Sequence, residues 1–460
     1  MSRASVSHPF GHNAPAMSQL QRKLSLFDLT MIAVGSTIGS GIFLTPSLIA
    51  HELQGPVWIL LAWLFGGLMA LSGALTLSEL GAMMPEAGGI YVYLSRAYGS
   101  LAGFLFGWAY FLVVNTGGIA ALGIAFATYL SYLIPVGSGG ITPVAIAGIV
   151  ILTVINVLGV KAGGIFSDIF TVLKLAGIAG LVVVGFTWGS SSTTDFTATA
   201  GLFPEGFSHA FALAMVGVLW SIGGWQHATF TSAEAKDPQR NLPLAMILAA
   251  AIVTLTYILT VVALLFLMSP ATMGLSAHPA ADAVGSVLGS AGGAAIALAV
   301  FISTFGTTGI YTLTAPRIYY AMATDGLFFR RVAQLHPRYD TPAFAIVLQS
   351  AWAIMLILFW QTFENLISYV VFTDWIFFTM AGASIFIFRA REPNTPRPYR
   401  TAGYPWTSIF FVGVSLWFVF NTFITKPEQA WAGIGFLALG IPVYYVWKGQ
   451  RNASFKRPPS

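Results

Sequence analysis

Residues 35–43 read GSTIGSGIF, and residues 219–225 read LWSIGGW. Each run lies inside a long apolar stretch and concentrates glycine where a membrane-crossing helix would carry larger side chains. Glycine has the largest backbone entropy to lose, so such runs weaken a helix locally. Backbone released from helical bonding inside a bilayer must find other partners, which confines it to places buried in protein or lining a wet cavity. For either run alone, close helix packing through small residues is the plainer explanation. Position along the chain decides between the two.

Of 460 residues, 56% are hydrophobic and only 8% charged, and the mean hydropathy is +0.78. An ordinary soluble domain carries about 25% charged residues, so a water-facing surface cannot be built here and a soluble enzyme is excluded. A helix needs roughly 20 apolar residues to cross about 30 Å of hydrocarbon. Hydropathy and turn signals predict twelve spans, at 26–50, 57–83, 99–132, 142–160, 165–188, 208–234, 242–268, 291–322, 343–361, 365–389, 405–425 and 430–448. The first, third, sixth and eighth exceed a straight crossing and should tilt, extend or contain a break. The two glycine runs fall in the first and sixth spans, the same place in two successive five-span blocks. Matched interruptions of this kind point to the binding site of an inverted-repeat transporter.

The net charge of +5 has a topological origin. With a cytoplasmic N-terminus, 19 of the 21 Lys and Arg residues fall in the tails, in predicted inner loops or at inner span ends, leaving Lys426 outside and Lys174 within a span. Both termini are therefore expected in the cytoplasm of a multi-pass inner-membrane protein. A nucleic-acid partner is not expected, because its positive patch would not be divided among short loops. Cysteine is absent, which excludes a disulfide-linked subunit and thiolate metal sites. The seven histidines have no metal-ligand spacing, and neither a P-loop nor a nucleophile elbow is present. No metal or cofactor is expected, and no enzyme. Residues 1–24 are polar and read as a cytoplasmic tail.

The chemistry at the two interruptions follows from peptide dipoles. A half-helix starting at Ser40, Gly41 and Ile42 offers unpaired N–H groups and a positive dipole end, which suit a carboxylate. Carbonyls released at Thr37 and Ile38, and from Trp220 through Ser221 to Gly223 beside Gly224, suit an ammonium group. Together they would recognise an α-amino acid, with Trp220, Trp225, Asn115, Thr116 and Gly117 as pocket walls. Lys174 lies about ten residues into the fifth span, in IFSDIFTVLKLAGIAGL, where a buried ammonium would hold the unwound first helix by its carbonyls; snorkelling to the headgroups is the alternative. Asp374 is also deep and is expected to pair with hydroxyls or a neighbouring helix, with a titrating role second. Asp28, Glu79, Asp168 and Glu234 lie near inner span ends, where gate or interface pairing is expected. His227 is expected to hydrogen-bond inside the bundle.

These motifs resemble the amino acid-polyamine-organocation superfamily, near the bacterial relatives of L-type amino acid transporters. The resemblance rests on GSTIGSGIF, SELGAMMPEAGGIYVYLSRAYG at 78–99, LWSIGGW, EAKDPQRNLP at 234–243 and TPRPYRTAGYP at 395–405. It implies an all-α LeuT-type core of two inverted five-helix repeats, at 25–190 and 191–390, followed by two added spans at 391–448 and a tail at 449–460. It also implies carboxylate binding at Ser40, Gly41 and Ile42, amino-group binding at Thr37, Trp220 and Gly223, and an aromatic gate at Trp220. By the same resemblance Lys174 stands where related carriers hold sodium, with Thr307 and Thr308 beside it. The expected function is sodium-independent transport of amino acids, neutral L-amino acids first, by exchange or proton-coupled uptake. A carrier of cationic amino acids or polyamines, with Asp374 as counter-charge, is the alternative, and a non-transporting membrane sensor a further one.

Overall fold

Helix starts along the chain follow local chemistry. Ser25 and Asp28 form a reciprocal capping box at the head of α1 (Leu26–Thr37). Proline, whose missing N–H costs nothing in a first turn, opens α3 (Pro56–Met83), α11 (Pro238–Leu267), α12 (Pro270–Leu275), α13 (Pro279–Thr314) and α14 (Pro316–Thr324). The remaining helices are α2 (Gly41–Leu53), α4 (Ile90–Tyr98), α5 (Ser100–Ala109), α6 (Asn115–Leu133), α7 (Ile141–Val157), α8 (Val160–Trp188), α9 (Phe207–Ile222) and α10 (His227–Phe230). They continue with α15 (Ala343–Trp360), α16 (Phe363–Arg391), α17 (Trp406–Thr425) and α18 (Pro427–Phe455). The computed structural model describes residues 22–190, 194, 196, 206–360 and 363–455. Most of the expected N-terminal tail, and residues 456–460 of the C-terminal one, lie outside the described residues.

Among the described residues, nine helical segments are long and apolar enough to cross a membrane, and three shorter apolar helices accompany them: Ile141–Val157, Phe207–Ile222 and Ala343–Phe359. The chain is an all-helical multi-pass membrane protein. Several expected boundaries move. The first span splits into α1 and α2, and the sixth into α9 and α10. The eighth begins earlier, at Pro279, and Gly289 (φ 72°, ψ −172°) breaks it. A π-helical turn at Tyr110–Val114 joins α5 to α6, and Thr116 Oγ1 donates to the Phe111 carbonyl inside it at 2.8 Å. The helix expected to end at 448 runs on to Phe455, because no proline stands in its way before Pro458.

Burial shows which way each helix faces. On α8, Ser167, Thr171, Lys174, Ile178 and Leu181 are buried, while Ile165, Ile169, Val172 and Leu173 are exposed. The buried set follows helical spacing and turns inward, so the exposed one is the lipid-facing stripe. Along the interior, α2 packs on α9, α3 on α11, α6 on α13 and α7 on α15. At one end of the bundle, Glu79 of α3 is fully buried and takes Arg389 Nη2 at 2.7 Å, Arg397 at 3.2 Å and the Thr401 N–H at 2.7 Å. Buried Glu234 pairs with Arg317 Nε at 2.9 Å. The backbone of Lys23 and Leu24 donates to the Glu234 carbonyl, and Lys236 N–H returns a bond to Leu24. These bonds tie the start of α1 to the segment that follows the second break.

Candidate functional site

The first break is a short gap between α1 and α2. Ile38 leaves the helix (φ −78°, ψ 88°), and Ser40 caps α2. Among the described residues, the N–H groups of Ser40, Gly41 and Ile42 find no backbone acceptor, as expected for the first turn of a helix. On the other side of the gap, α1 ends with carbonyls that need donors. Lys174 supplies them. Its ammonium, 0% exposed, donates to the Gly35 carbonyl at 2.8 Å, the Ile38 carbonyl at 2.7 Å and Thr307 Oγ1 at 2.6 Å. An ammonium has three N–H donors, so all are used. The cation also sits at the negative dipole end of α1, which favours it without a carboxylate partner.

Thr307 Oγ1 lies 2.9 Å from both the Gly35 and the Ile38 carbonyl. Because it accepts from Lys174, its single proton serves one acceptor at a time. Ser303, one turn earlier on α13, points its hydroxyl at the Ile38 and Gly39 carbonyls at 3.5 and 3.4 Å. Thr308 is not brought to this centre: its hydroxyl bonds back to the Thr304 carbonyl at 2.8 Å. One residue along a helix turns a side chain by about 100°, and that rotation separates Thr308 from Thr307.

The second break runs through Gly223 (φ −73°, ψ 152°) and Gly224, whose φ of 128° lies in the region that favours glycine. Gly224 N–H donates to Gln226 Oε1 at 2.8 Å instead of continuing the helix. The last carbonyls of α9 are consequently left without helical donors. Tyr257 of α11 takes up part of this deficit, its hydroxyl lying 3.0 Å from the Thr37 carbonyl and 3.1 Å from the Ser221 carbonyl. Among the described residues, the Trp220 and Gly223 carbonyls are left without a backbone donor.

The two breaks touch backbone to backbone. A Cβ on Gly41 would meet Ser221 Cα at 2.6 Å, and one on Gly224 would meet the Ser36 carbonyl oxygen at 2.6 Å and Thr37 Cα at 2.7 Å. Ser36 Oγ donates to the Gly224 carbonyl at 2.8 Å, and Thr45 and Ser221 hydroxyls meet at 2.7 Å. Close approach requires glycine at both 41 and 224, and at 224 the backbone conformation requires it as well.

Beside the second break lies a small cavity, lined among others by Trp220, Gly223, Gly224, Asn115, Tyr110 and Asp374. Asn115 is buried and donates to Gln349 Oε1 at 3.1 Å, leaving its own Oδ1 unpartnered. Trp220 is half-buried, and its indole N–H approaches Ser40 Oγ at 3.4 Å. His227 is buried, with Nδ1 2.6 Å from Thr314 Oγ1 and its ring stacked on Tyr311.

The remaining expected residues stand elsewhere or already have partners. Thr37, Ile38, Ser40, Gly41, Ile42 and Ser221 line the junction of the breaks rather than this cavity. The Thr37 carbonyl takes bonds from Gly39 N–H and Tyr257, and the Ile38 carbonyl is taken by Lys174. Trp225 is buried against Phe378 and Gly73 rather than forming a wall. Sequence reading missed Tyr110, Gln226, Tyr257, Ser303 and Tyr311, whose positions depend on packing between distant helices.

The sequence pattern of the family described as "Amino acid permease" matches residues 24–446. The chain is 34% identical over 435 residues to the serine/threonine exchanger SteT of Bacillus subtilis, covering 93% of this chain and 97% of that one. It is 28% identical to the human b(0,+)-type amino acid transporter 1, covering 94% and 89%, and 28% identical to the mouse large neutral amino acids transporter small subunit 2, covering 93% and 81%. The match passes through both glycine breaks and the lysine between them, and the chain belongs to the amino acid permeases of the amino acid-polyamine-organocation superfamily, which are transporters and not enzymes.

Proposed function

We propose that this permease is a sodium-independent secondary transporter of neutral L-amino acids, working by alternating access through exchange or proton-coupled uptake. The observation that carries this reading is the junction of the two broken helices, with Lys174 closing the carbonyl side of the first break. The substrate carboxylate binds the open N–H groups at Ser40, Gly41 and Ile42, where the dipole of α2 favours negative charge. The substrate amino group takes the Trp220 and Gly223 carbonyls. Trp220, between Ser40 and the cavity, closes over the bound molecule as a gate. A sodium ion has no place beside the carbonyls of Gly35 and Ile38, since a fixed ammonium already occupies them.

The proposed architecture is a LeuT-type core of two inverted repeats, 25–190 and 191–390, plus two added spans. Twelve crossings would then leave both termini in the cytoplasm of the inner membrane. Support comes from the packing of α2 on α9, α3 on α11, α6 on α13 and α7 on α15. In each pair the two helices hold the same rank within their five-span block.

The similarity to a serine/threonine exchanger makes L-serine and L-threonine the first substrates to try. The test is uptake of labelled L-threonine into proteoliposomes preloaded with unlabelled amino acid, with and without sodium. A prior screen of the twenty amino acids by thermal shift identifies ligands, because binding raises apparent stability. Sodium-free flux that rises with internal amino acid or with an inward proton gradient supports the proposal. Absence of flux for every amino acid refutes it and favours a non-transporting membrane sensor.

A further inference from the structure

A groove on the outside of the bundle runs between the corner of α4 and α5, the middle of α16, and α18. Leu101 and Leu105 of α5, Ile376, Phe377 and Met380 of α16 and Leu437 of α18 line it, all apolar. Polar ties fasten its walls. Tyr98, at the mouth, donates its hydroxyl to the Met380 carbonyl at 2.8 Å, the Trp108 indole N–H donates to the Phe436 carbonyl at 2.9 Å, and the Ser100 and Tyr444 hydroxyls meet at 2.6 Å. The apolar surface between these ties stays half-buried and open to the outside.

Two cations stand at the mouth. Exposed Arg391 donates from Nη1 to the Ala97 carbonyl at 3.1 Å, one residue before Tyr98. Exposed Lys448 has its Nζ 5.5 Å from the centre of the Tyr444 ring, whose hydroxyl meets Ser100 at the start of α5. Among the described residues, neither cation is in an ion pair. The carboxylates at this end are engaged: Glu79 with Arg389 and Arg397, Glu86 with Arg96, and Glu392 with the Thr395 hydroxyl at 3.3 Å. Tyr98 and Tyr445 are exposed here, and Trp447 packs against Phe104 and Phe329. Such rings gather where headgroups meet hydrocarbon.

We propose that this groove is a phospholipid site: one acyl chain lies between α5, α16 and α18, and an anionic headgroup rests on Arg391 and Lys448. A basic mouth on a cleft between membrane helices is the combination that selects an anionic phospholipid. The lining takes in only Leu101 to Leu105 on α5 and Ile376 to Met380 on α16, about 6 Å of each helix. A partner helix crossing the bilayer presents roughly 20 residues, so it would overhang the groove, whereas a single chain end fits. A sterol offers the two cations no charge. In the orientation proposed above, the site faces the inner leaflet. Asp374, Trp375 and Phe378, on the same turns of α16, line the cavity at the second break, and Phe377 packs on Phe106, which packs on Tyr110 of that cavity. A chain in the groove therefore backs the cavity wall.

Native mass spectrometry of the full-length protein in detergent, with dioleoyl phosphatidylglycerol or dioleoyl phosphatidylcholine added, separates the headgroup from the chains. A basic residue at the membrane surface favours an anionic lipid about fivefold, so two favour it about 25-fold. One phosphatidylglycerol should be retained per protein, with about that preference over phosphatidylcholine. Arg391→Gln together with Lys448→Gln should bring the two lipids level, and Ala102→Phe, which adds a ring inside the groove, should expel both. Equal retention of the two lipids by the unmodified protein overturns the inference, as does undiminished retention in Ala102→Phe. A dimer that Ala102→Phe converts to monomer also overturns it, assigning the groove to a second copy. The headgroup preference is read on the unmodified protein and does not depend on transport.

Discussion

Replacing Gly41 with alanine tests the junction of the breaks most directly. The added Cβ would stand 2.5 Å from Ser221 Oγ, 2.6 Å from Ser221 Cα and 2.7 Å from Ser221 Cβ. Ordinary van der Waals separation begins at 3.4 Å, so α2 and α9 must part by about 0.8 Å where they cross. Packed interiors accept such insertions at about 1–3 kcal/mol, and a displacement near 1 Å in a binding constellation can cost on the order of a hundredfold. At 1.4 kcal/mol per tenfold, we expect L-threonine affinity to fall by roughly 5- to 150-fold. Thermal-shift titration in detergent and counterflow in proteoliposomes measure it, with size-exclusion elution unchanged. Two comparisons sharpen the test. Gly39→Ala should be milder, because its Cβ meets only the ends of Leu122 and Thr307 side chains, at 3.1 and 3.2 Å. Ser221→Gly should fail to rescue Gly41→Ala, because the backbone clash at 2.6 Å survives the loss of the side chain. Wild-type affinity in Gly41→Ala would refute the claim that backbone approach between the breaks shapes the site.

Lys174→Met keeps the apolar bulk but removes three donors, and since Thr307 has one proton, a carbonyl of the first break is left bare at about 1–3 kcal/mol. Transport should drop at least about tenfold and sodium should not restore it; a fully active variant would remove the lysine from the mechanism. Glu79→Gln leaves Arg389 and Arg397 without their buried partner. The usual cost of such a loss is about 3–5 kcal/mol, reduced here because the Arg389 side chain is 26% exposed, so a lower thermal midpoint in detergent is the expected readout and an unchanged one contradicts the assignment. His278, wedged between Tyr129 and Tyr132 at the head of α13, has its imidazole held below the ordinary 6.5 by burial, against the opposing pull of Asp282. The unfolded chain gains that proton first, so His278's contribution is present above pH 6.5 and declines as pH falls further. His278→Gln should flatten this part of the stability profile.

What the sequence made legible was whatever depended on composition, glycine placement and helical phase. The interruptions at 35–43 and 219–225 needed only the entropy of glycine and the twelve-span count to stand out. Lys174 was legible from its depth, about ten residues into the fifth span, and the structure adds that it lies on the inward stripe of Ser167, Thr171 and Ile178. Helical phase was not applied to α13, where Thr308 was expected beside Thr307 but turns back to the Thr304 carbonyl, and Ser303, one turn before Thr307, was missed. Trp225 was misjudged because Gly224, at φ 128°, reorients the chain and takes the next residue out of the phase of α9. Tyr257 and Gln226 left no local mark: each matters because of a carbonyl or N–H that another break exposes, and such pairings are set by tertiary packing. The break at Gly289 was equally hidden, one glycine among the 48 in the chain.

The fully buried charges divide by how they are neutralised. Glu79 has two arginines, Glu234 has Arg317, and Lys174 has the carbonyls at the end of α1 together with Thr307. All three arrangements are closed within the protein, and removing one member strands another. Asp374 is not among them: it is partly buried and stands with Tyr110 in the lining of the cavity beside the second break. A charge whose partner belongs to the fold holds that fold in one structure. In the function proposed above, Lys174 takes the place of an ion that would otherwise have to be carried on each cycle. On this reading, mutation at Lys174 should impair every substrate alike, and uptake that falls for one labelled amino acid but not for others would contradict it.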